Sequence, residues 1–444
     1  MSELGVRGQT TKREIFGWAM FDVANSAYTT VVITIVFSAF FVQHLVPQGS
    51  EWGNSYWGLA MILSNLTAML LAPFLGTLCD LTGRKKGFLL GNMMLCAAAT
   101  AMLFFVGPGA IGWAIALIVV SNTAWMLSEV FCASFLTDLA TPDNMGLLSG
   151  IGWGVGYLGG LLSLILVLFG VITADADSDL ALYIAQNQQA MLVVAGFFVV
   201  VSIPTMLWLR DRPVAGTPDT SAKAVWLHTL QRLSHCWQLS QALPVLLRFF
   251  GVFTLYSAGM AIVIKFFGIY VDAELTLSAG EKTGVFLALQ LSAFVGAVSF
   301  GLLETRIGSK ATVFLTLVWW SLGVLSIYYL GDLARWLNME ENQLFMVSAV
   351  VAGAGLGSTQ SASRTLVGLL TPTGYSAMMF GFWGLFARVA AILGSFCFAL
   401  VADLVSVQQA LLVILGFFVA GAVLILLLPI NQGREQARQF KEVE

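Results

Sequence analysis

Twelve apolar stretches, each about 20 residues long or longer, follow one another along this chain of 444 residues. A helix of about 20 apolar residues crosses a bilayer, whereas a barrel strand needs only about half that number. Because a helix satisfies its own backbone hydrogen-bonding groups in lipid, the stretches predict an all-α membrane protein with twelve transmembrane helices. They cover approximately residues 15–42, 55–79, 87–106, 111–137, 146–170, 188–209, 244–270, 281–303, 311–330, 343–366, 375–400 and 405–429.

The composition agrees with a membrane protein and argues against several classes of function. Hydrophobic residues make up 58% of the chain and charged residues 10%, against roughly 45–50% and about 25% in soluble domains. The net charge of −3 does not indicate a nucleic-acid partner. The five cysteines are scattered and form no CxxC pair, so neither disulfides nor a metal site are predicted. Since the sequence contains no recognisable nucleophile and base, phosphate loop or metal cluster, we expect no enzymatic activity and no cofactor.

Basic residues are distributed unevenly between the two sides of the predicted helices. With a cytoplasmic N-terminus, fifteen lysines and arginines fall on the cytoplasmic side, whereas the opposite loops hold only Lys282 and Arg335. This bias predicts a multi-pass protein of a plasma membrane or bacterial inner membrane, with both termini in the cytoplasm. We expect the protein to be a monomer in contact with membrane lipids.

A polar interruption between the sixth and seventh apolar stretches divides the chain. Apolar residues recur within it at helical spacing, which predicts an amphipathic helix lying on the inner leaflet. These residues are Trp226, Leu230, Leu233 and Trp237. The predicted domains are an N-terminal six-helix half (1–209), a cytoplasmic linker (210–243) and a C-terminal six-helix half (244–444).

The two halves resemble each other in sequence. The segment Ser134–Pro142 (SFLTDLATP) recurs as Arg364–Pro372 (RTLVGLLTP), at an offset of 230. The segment Gly76–Lys86 (GTLCDLTGRKK) corresponds to Gly301–Lys310 (GLLETRIGSK), at an offset of 225. Matches in the same order along both halves predict two pseudo-symmetric repeats related by an axis along the membrane normal.

The segment Gly76–Lys86 lies where helix two turns into helix three. It contains Gly76, Asp80, Gly83 and Arg84; Gly83 permits a tight turn, and the carboxylate can accept charge-assisted hydrogen bonds. Spacing and location resemble the signature loop of the major facilitator superfamily. The resemblance implies that Asp80 and Arg84 form a cytoplasmic gate, a latch that helps to hold the outward-facing state of an alternating-access transporter. In the second copy, Thr305 stands where the aspartate would be.

Three further stretches are similar to one branch of that superfamily, the vacuolar amino-acid effluxers. They are Gly17–Tyr28, Ser149–Gly160 and Gly357–Arg364. This branch is related to autophagy permeases and is also called the unknown major facilitator family. The resemblance implies a secondary active transporter for an amino acid or a related small organic solute, working by proton-coupled export. Helix seven departs from the family, since Tyr256–Gly259 (YSAG) replaces a Tyr-x-Asp-Gly pattern.

Polar residues at membrane depth are costly unless they are paired or hydrated, so they indicate function. In helix one, Asp22, Asn25, Ser26 and Thr29 lie on one face, which we expect to border a water-filled cavity. Asp22 lies near the cytoplasmic end, which favours a structural role. Asp22, Asn25 and Tyr28, the last residue of the family stretch, belong to the predicted site for substrate and proton coupling.

The same predicted site includes polar residues of helices four, ten and eleven. Asn122 and Glu129 share a face, and Glu129 is either a salt-bridge partner or a proton carrier. Arg388 lies roughly 20 Å into helix eleven and offers a bidentate site for the carboxylate of a substrate or of Glu129. Gln360 and Arg364 share a face of helix ten, where Arg364 is placed near the cytoplasmic end as an anchor or gate.

The sequence leaves the transported molecule open. The expected partners are a small-molecule substrate and a proton or another coupling ion. A siderophore or peptide carrier on the same fold is an alternative, as is a flippase or scramblase for lipids or lysolipids. A sensor built on a carrier scaffold would have the same fold without transport.

Overall fold

All twelve predicted membrane helices are present in the computed structural model of the protein, which describes residues 10–47, 52–212, 222–234, 241–274 and 279–440. Each has the length and apolar composition needed to cross a membrane. The prediction of an all-α protein with twelve such helices is therefore confirmed. The helices are α1 (Lys12–Leu45), α2 (Gly53–Thr82), α3 (Lys85–Phe105), α4 (Ile111–Leu139), α5 (Met145–Gly170), α6 (Leu180–Trp208), α7 (Pro244–Glu274), α8 (Ala279–Ile307), α9 (Ser309–Tyr328), α10 (Glu341–Leu370), α11 (Ser376–Leu404) and α12 (Val407–Leu427).

Among the described residues, three shorter helices accompany them. The predicted amphipathic linker helix forms over Ala222–Ser234, and its Trp226 packs edge to face on Phe74 of α2 with ring centroids 5.0 Å apart. Trp237, also placed on this helix by the sequence pattern, lies outside the described residues. The helices Leu330–Leu337 and Ile430–Gln439 were not predicted.

Helix α6 begins at Leu180, earlier than the predicted residue 188, because local hydrogen bonds satisfy its polar first turns. The side chain of Asp179 caps the helix by accepting from the backbone N–H of Leu182 at 3.0 Å. The Gln186 carbonyl accepts from the backbone N–H groups of Thr173 and Ala174. Residues 180–187, which the sequence prediction left outside the membrane helix, therefore form its first turns.

Helix α1 changes its winding at Tyr28. It is α-helical over Lys12–Ala27 and π-helical over Tyr28–Ile35 and again over Phe41–Leu45. The Thr34 hydroxyl bonds the carbonyl of Thr29, five residues earlier, at 2.8 Å. Wider turns of this kind are rare and occur often at functional sites.

The described residues form two compact units. Unit 1 comprises those within 1–139, 155–231 and 376–381, and unit 2 those within 140–154, 232–375 and 382–444. Helices α5 and α11 thus contribute residues to both units.

In unit 1, glycines bring α5 against α1. A Cβ atom at Gly159 would overlap the carbonyl oxygen of Val23, and one at Gly156 would lie 3.1 Å from the hydroxyl of Ser26. The backbones of the two helices are therefore in contact beside the polar stripe of α1.

In unit 2, a second pair of glycines brings the beginning of α5 against α8. A Cβ atom at Gly150 would lie 2.7 Å from the carbonyl oxygen of Ala297 and 2.9 Å from the Cα of Gly301. The first turn of α5 therefore lies beside the end of α8.

Candidate transport and gating sites

In unit 1, polar side chains of α1 and α4 meet in the protein interior. Asn25 is 3% exposed, and its amide nitrogen donates to the carboxylate of Glu129. The thiol of Cys132 lies 3.7 Å from a carboxylate oxygen of the buried Asp22, a weak donor contact. The Trp18 indole donates to the carbonyl of Cys132 at 2.9 Å. Asp22 and Asn25 of helix one are thereby brought together with Glu129 of helix four.

Two polar atoms of this cluster are buried without a hydrogen-bond partner among the described residues. They are the Asn25 carbonyl oxygen, an acceptor, and the Trp125 indole nitrogen, a donor. Trp125 stacks on the ring of Tyr28, whose hydroxyl bonds that of Ser121 at 2.8 Å. Buried polar groups are ordinarily satisfied by protein or water, so these two atoms have capacity for water or a ligand.

Two further residues show where the sequence reasoning was incomplete. Tyr157 of α5 lies close enough to Glu129 to interact with its charge, yet it appeared in the sequence only as part of a glycine-rich stretch. Asn122 shares a helix with Glu129, but its amide contacts the sulfur of Met61 on α2 at 3.8 Å. Helical spacing placed Asn122 and Glu129 on one face of α4, but it could not show which side chains each of them contacts.

Unit 2 contains a buried cation that is hydrogen-bonded to α5. Arg364 is 2% exposed and donates through Nε to the Ser149 hydroxyl at 3.0 Å and through Nη2 to the Ser149 carbonyl at 2.8 Å. Its guanidinium also lies 5.6 Å from the ring centroid of Trp153. Arg364 therefore joins α10 to α5.

The other predicted residues of unit 2 are Gln360 and Arg388. The Gln360 carbonyl oxygen is buried without a hydrogen-bond partner in the described ranges. Arg388 donates from Nη1 to the carbonyl of Gly384 at 3.1 Å, one turn earlier on α11. The suggested pairing of Arg388 with Glu129 stays a prediction.

The signature loop holds the beginning of α11 in unit 1. Asp80 is 8% exposed, and its two carboxylate oxygens accept from the backbone N–H groups of Ala377 at 3.0 Å and Met378 at 2.8 Å. These N–H groups belong to the first turn of α11, where the helix dipole favours a negative charge. A Cβ atom at Gly76 would overlap the carbonyl oxygen of Ala377. Gly83 ends α2 with a positive φ of 64°.

The basic residues of the loop are arranged differently from the prediction. Arg84 is exposed at the N-cap of α3, whereas the neighbouring Lys85 is buried and pairs with Asp138 of α4 at 2.6 Å. The cation that fixes this corner of unit 1 is therefore Lys85. Because Arg84 and Lys85 are adjacent in one turn, the sequence did not show which of the two side chains is buried.

The fold defines the class of protein. It resembles the solved structure of the proton:xylose symporter XylE, a member of the major facilitator superfamily, with a TM-score of 0.68, 13% identity and coverage of 93% of each chain. The chain is therefore a multi-pass membrane protein with the twelve-helix fold of the major facilitator superfamily.

The sequence assigns the chain to one family among the proteins that share this fold. The sequence profile of the family described as "Vacuole effluxer Atg22 like" matches residues 53–438, and the chain belongs to this family. It is 25% identical over 439 residues to the uncharacterized MFS-type transporter YxiO of Bacillus subtilis, covering 98% of both chains. It is 23% identical over 316 residues to autophagy-related protein 22 of Yarrowia lipolytica, covering 67% of this chain and 52% of that protein.

Proposed function

We propose that this protein exports an amino acid or a related small organic solute by alternating access, in exchange for protons, across a plasma or bacterial inner membrane with both termini cytoplasmic. The family supports an efflux role. The observation that carries the proposal is the hydrogen bond from Asn25 to Glu129 inside unit 1. It gives a carboxylate at membrane depth a partner that bears no charge.

A neutral amide suits a carboxylate that gains and loses a proton. The Asn25 amide nitrogen donates to the ionised form of Glu129, and its carbonyl oxygen, which has no partner among the described residues, can accept from the protonated form after the amide rotates. Glu129 is accordingly the proposed proton carrier of the transport cycle.

Arg388 is the proposed group for the anionic end of the substrate. A guanidinium forms two parallel hydrogen bonds with a carboxylate, and it keeps its charge at any physiological pH. If protonation of Glu129 raises the affinity of Arg388 for the substrate carboxylate, proton and substrate occupancy are linked, and the linkage is reciprocal.

Asp80 and Arg364 are the proposed gate residues, together with Gly76, Gly83 and Arg84. Each of the first two joins helices from different halves of the sequence, α2 with α11 and α5 with α10. On the predicted orientation both contacts lie toward the cytoplasm, so they stabilise a state closed on that side.

The test begins with the ligand. Purified protein is screened by thermal shift against amino acids, peptides, siderophores and lysolipids, since a binder raises the unfolding temperature in step with its concentration above the Kd. Stabilisation by an amino acid supports the proposed substrate class, whereas stabilisation by a lysolipid alone contradicts it.

Transport of the identified ligand is then measured in proteoliposomes. Glu129→Gln should abolish accumulation driven by a pH gradient and leave counterflow intact, and Arg388→Ala should weaken ligand binding at least about tenfold. Glu340→Gln makes the same chemical change at an exposed position and should transport normally. Normal accumulation by Glu129→Gln would overturn the proposed proton site.

A further inference from the structure

Unit 2 contains a buried carboxylate that the sequence comparison overlooked. Glu304, near the end of α8, is 4% exposed. The repeat places Thr305 at the position of the signature aspartate, but Thr305 is exposed and its hydroxyl bonds its own helix at Leu302. The acidic residue of the second copy is therefore displaced by one position and turned into the protein.

Glu304 lies against the first turn of α5. A Cβ atom at Gly146, the second residue of that helix, would overlap the carboxyl carbon of Glu304 and come within 2.7 Å of its Cγ. The contact exists because position 146 has no side chain, and because Gly150 and Gly301 bring the two backbones together. Asp80 meets α11 at the corresponding place in the other sequence repeat.

The two acidic residues differ in their hydrogen bonds. Asp80 accepts two backbone N–H bonds, which stabilise its charged form. Neither oxygen of Glu304 has a partner of ordinary hydrogen-bond geometry among the described residues. Its polar neighbours are the hydroxyls of Ser309 and Thr365, and the Thr365 hydroxyl already donates to the carbonyl of Ser361 at 3.1 Å. While it makes that bond, Thr365 presents a lone pair to Glu304, which suits a protonated acid, and the Ser309 hydroxyl is the remaining donor.

No cation on the helices packed around Glu304 forms an ion pair with it within the described ranges. Lys310 of α9 donates to the carbonyl of Leu428, and Arg364 of α10 is bonded to Ser149. Arg306 of α8 is exposed to solvent. Helix α5 carries no charged residue at all, and Asp143 just before it is exposed.

We propose that Glu304 is a proton-binding residue that keeps α5 packed against α8 while it is protonated and releases this contact when it ionises. A buried carboxylate that has hydroxyl neighbours but no counter-charge among the described residues is destabilised relative to the neutral acid. Loss of the proton therefore requires water to reach the carboxylate, and Gly146 must move away to admit it. This site is separate from Glu129 and does not depend on the proposed transport of amino acids.

The test measures the distance between α5 and α8 in the full-length protein in lipid nanodiscs. Spin labels are attached at the exposed positions 143 and 306 after the native cysteines have been replaced. The parent protein should give a short distance in acidic buffer and a longer one in alkaline buffer. Glu304→Gln, a neutral isostere, should remain at the short distance in both. Glu341→Gln, at an exposed position of α10, should behave like the parent.

A second measurement reports the proton itself. The infrared spectrum should contain a protonated-carboxyl band that disappears in Glu304→Gln and persists in Glu341→Gln. Gly146→Ala should give the long distance in both buffers, because the added methyl group displaces the carboxyl. The proposal is overturned if the parent distance does not depend on pH, if Glu304→Gln retains the shift, or if the variant loses no carboxyl band.

Discussion

Among the described residues, the first and fourth helices of the two repeats hold inward-facing charged groups of opposite sign. The interior of unit 1 holds the carboxyl group of Asp22 on α1, and the half-buried Glu129 on α4 is bonded to an amide. That of unit 2 holds the guanidinium of Arg364, bonded to Ser149. Corresponding helices of the repeated sequence thus differ in the sign of the charge that they carry.

A neutral contact appears in both units and gives a baseline for the comparison. In unit 1 the hydroxyl of Tyr28 on α1 bonds that of Ser121 on α4 at 2.8 Å. In unit 2 the hydroxyl of Tyr256 on α7 bonds that of Ser363 on α10 at 2.7 Å. The first and fourth helices of each half are therefore joined in the same way, and the asymmetry lies in the charged residues around them.

The largest expected effect on stability concerns the buried cation of unit 2. Arg364→Met should lower the free energy of unfolding by about 3 kcal/mol, because two hydrogen bonds from a charged donor are lost and the Ser149 carbonyl loses its donor. Denaturation of the purified protein in detergent measures this change. Arg248→Met, at an exposed position of α7, should stay within about 0.5 kcal/mol of the parent; an equal loss in both variants would contradict a specific role for Arg364.

The glycine contacts of α5 should come next and should affect both units. Gly159→Ala and Gly150→Ala should each lower the free energy of unfolding by about 2 kcal/mol, because the added methyl group meets the backbone of α1 or α8. Gly196→Ala provides the control, since nothing lies within 4 Å of a Cβ atom there. It should raise stability by about 0.5 kcal/mol through helix propensity, and a loss at position 196 as large as at 159 would contradict the packing explanation.

The comparison of the two acidic residues near helix beginnings predicts a smaller change. Asp80→Asn should destabilise the contact of α2 with α11 by about 1.5 kcal/mol, because one charge-assisted hydrogen bond becomes a neutral one and the amide nitrogen cannot accept the other. Amide hydrogen exchange should then become faster at Ala377 and Met378. The substitution should also shift the protein toward inward-facing states. Glu304→Gln should leave exchange at these two amides unchanged, and unchanged exchange in Asp80→Asn would refute the latch.

The smallest effect tests the similarity of the units. Tyr28→Phe and Tyr256→Phe should each lower the free energy of unfolding by about 1 kcal/mol, because each removes one hydroxyl hydrogen bond and leaves the ring in place. Both serines still donate to a carbonyl of their own helix. Clearly unequal losses in the two variants would show that the baseline contacts are not equivalent.

The sequence predicted the helices well because their signal is strong and local. A span of about 20 apolar residues has few alternatives in lipid. The short helix Leu330–Leu337 and the π-helical turns of α1 were missed. A helix too short to span gives no hydropathy signal, and the winding of α1 depends on the helices packed around it.

Composition and hydropathy by themselves determined that this chain is an all-helical, twelve-span membrane protein, and short motifs indicated its superfamily and family. Asp22, Asn25 and Glu129 were also visible as polar groups at membrane depth, since such groups are rare in lipid-facing sequence, whereas Glu304 was overlooked. Only the tertiary structure decided their partners: Asn25 for Glu129, the first turn of α11 for Asp80, and the first turn of α5 for Glu304. The physical reason is that contacts between helices depend on rotation about each helix axis and on approach distance, which the spacing of residues along one helix does not specify.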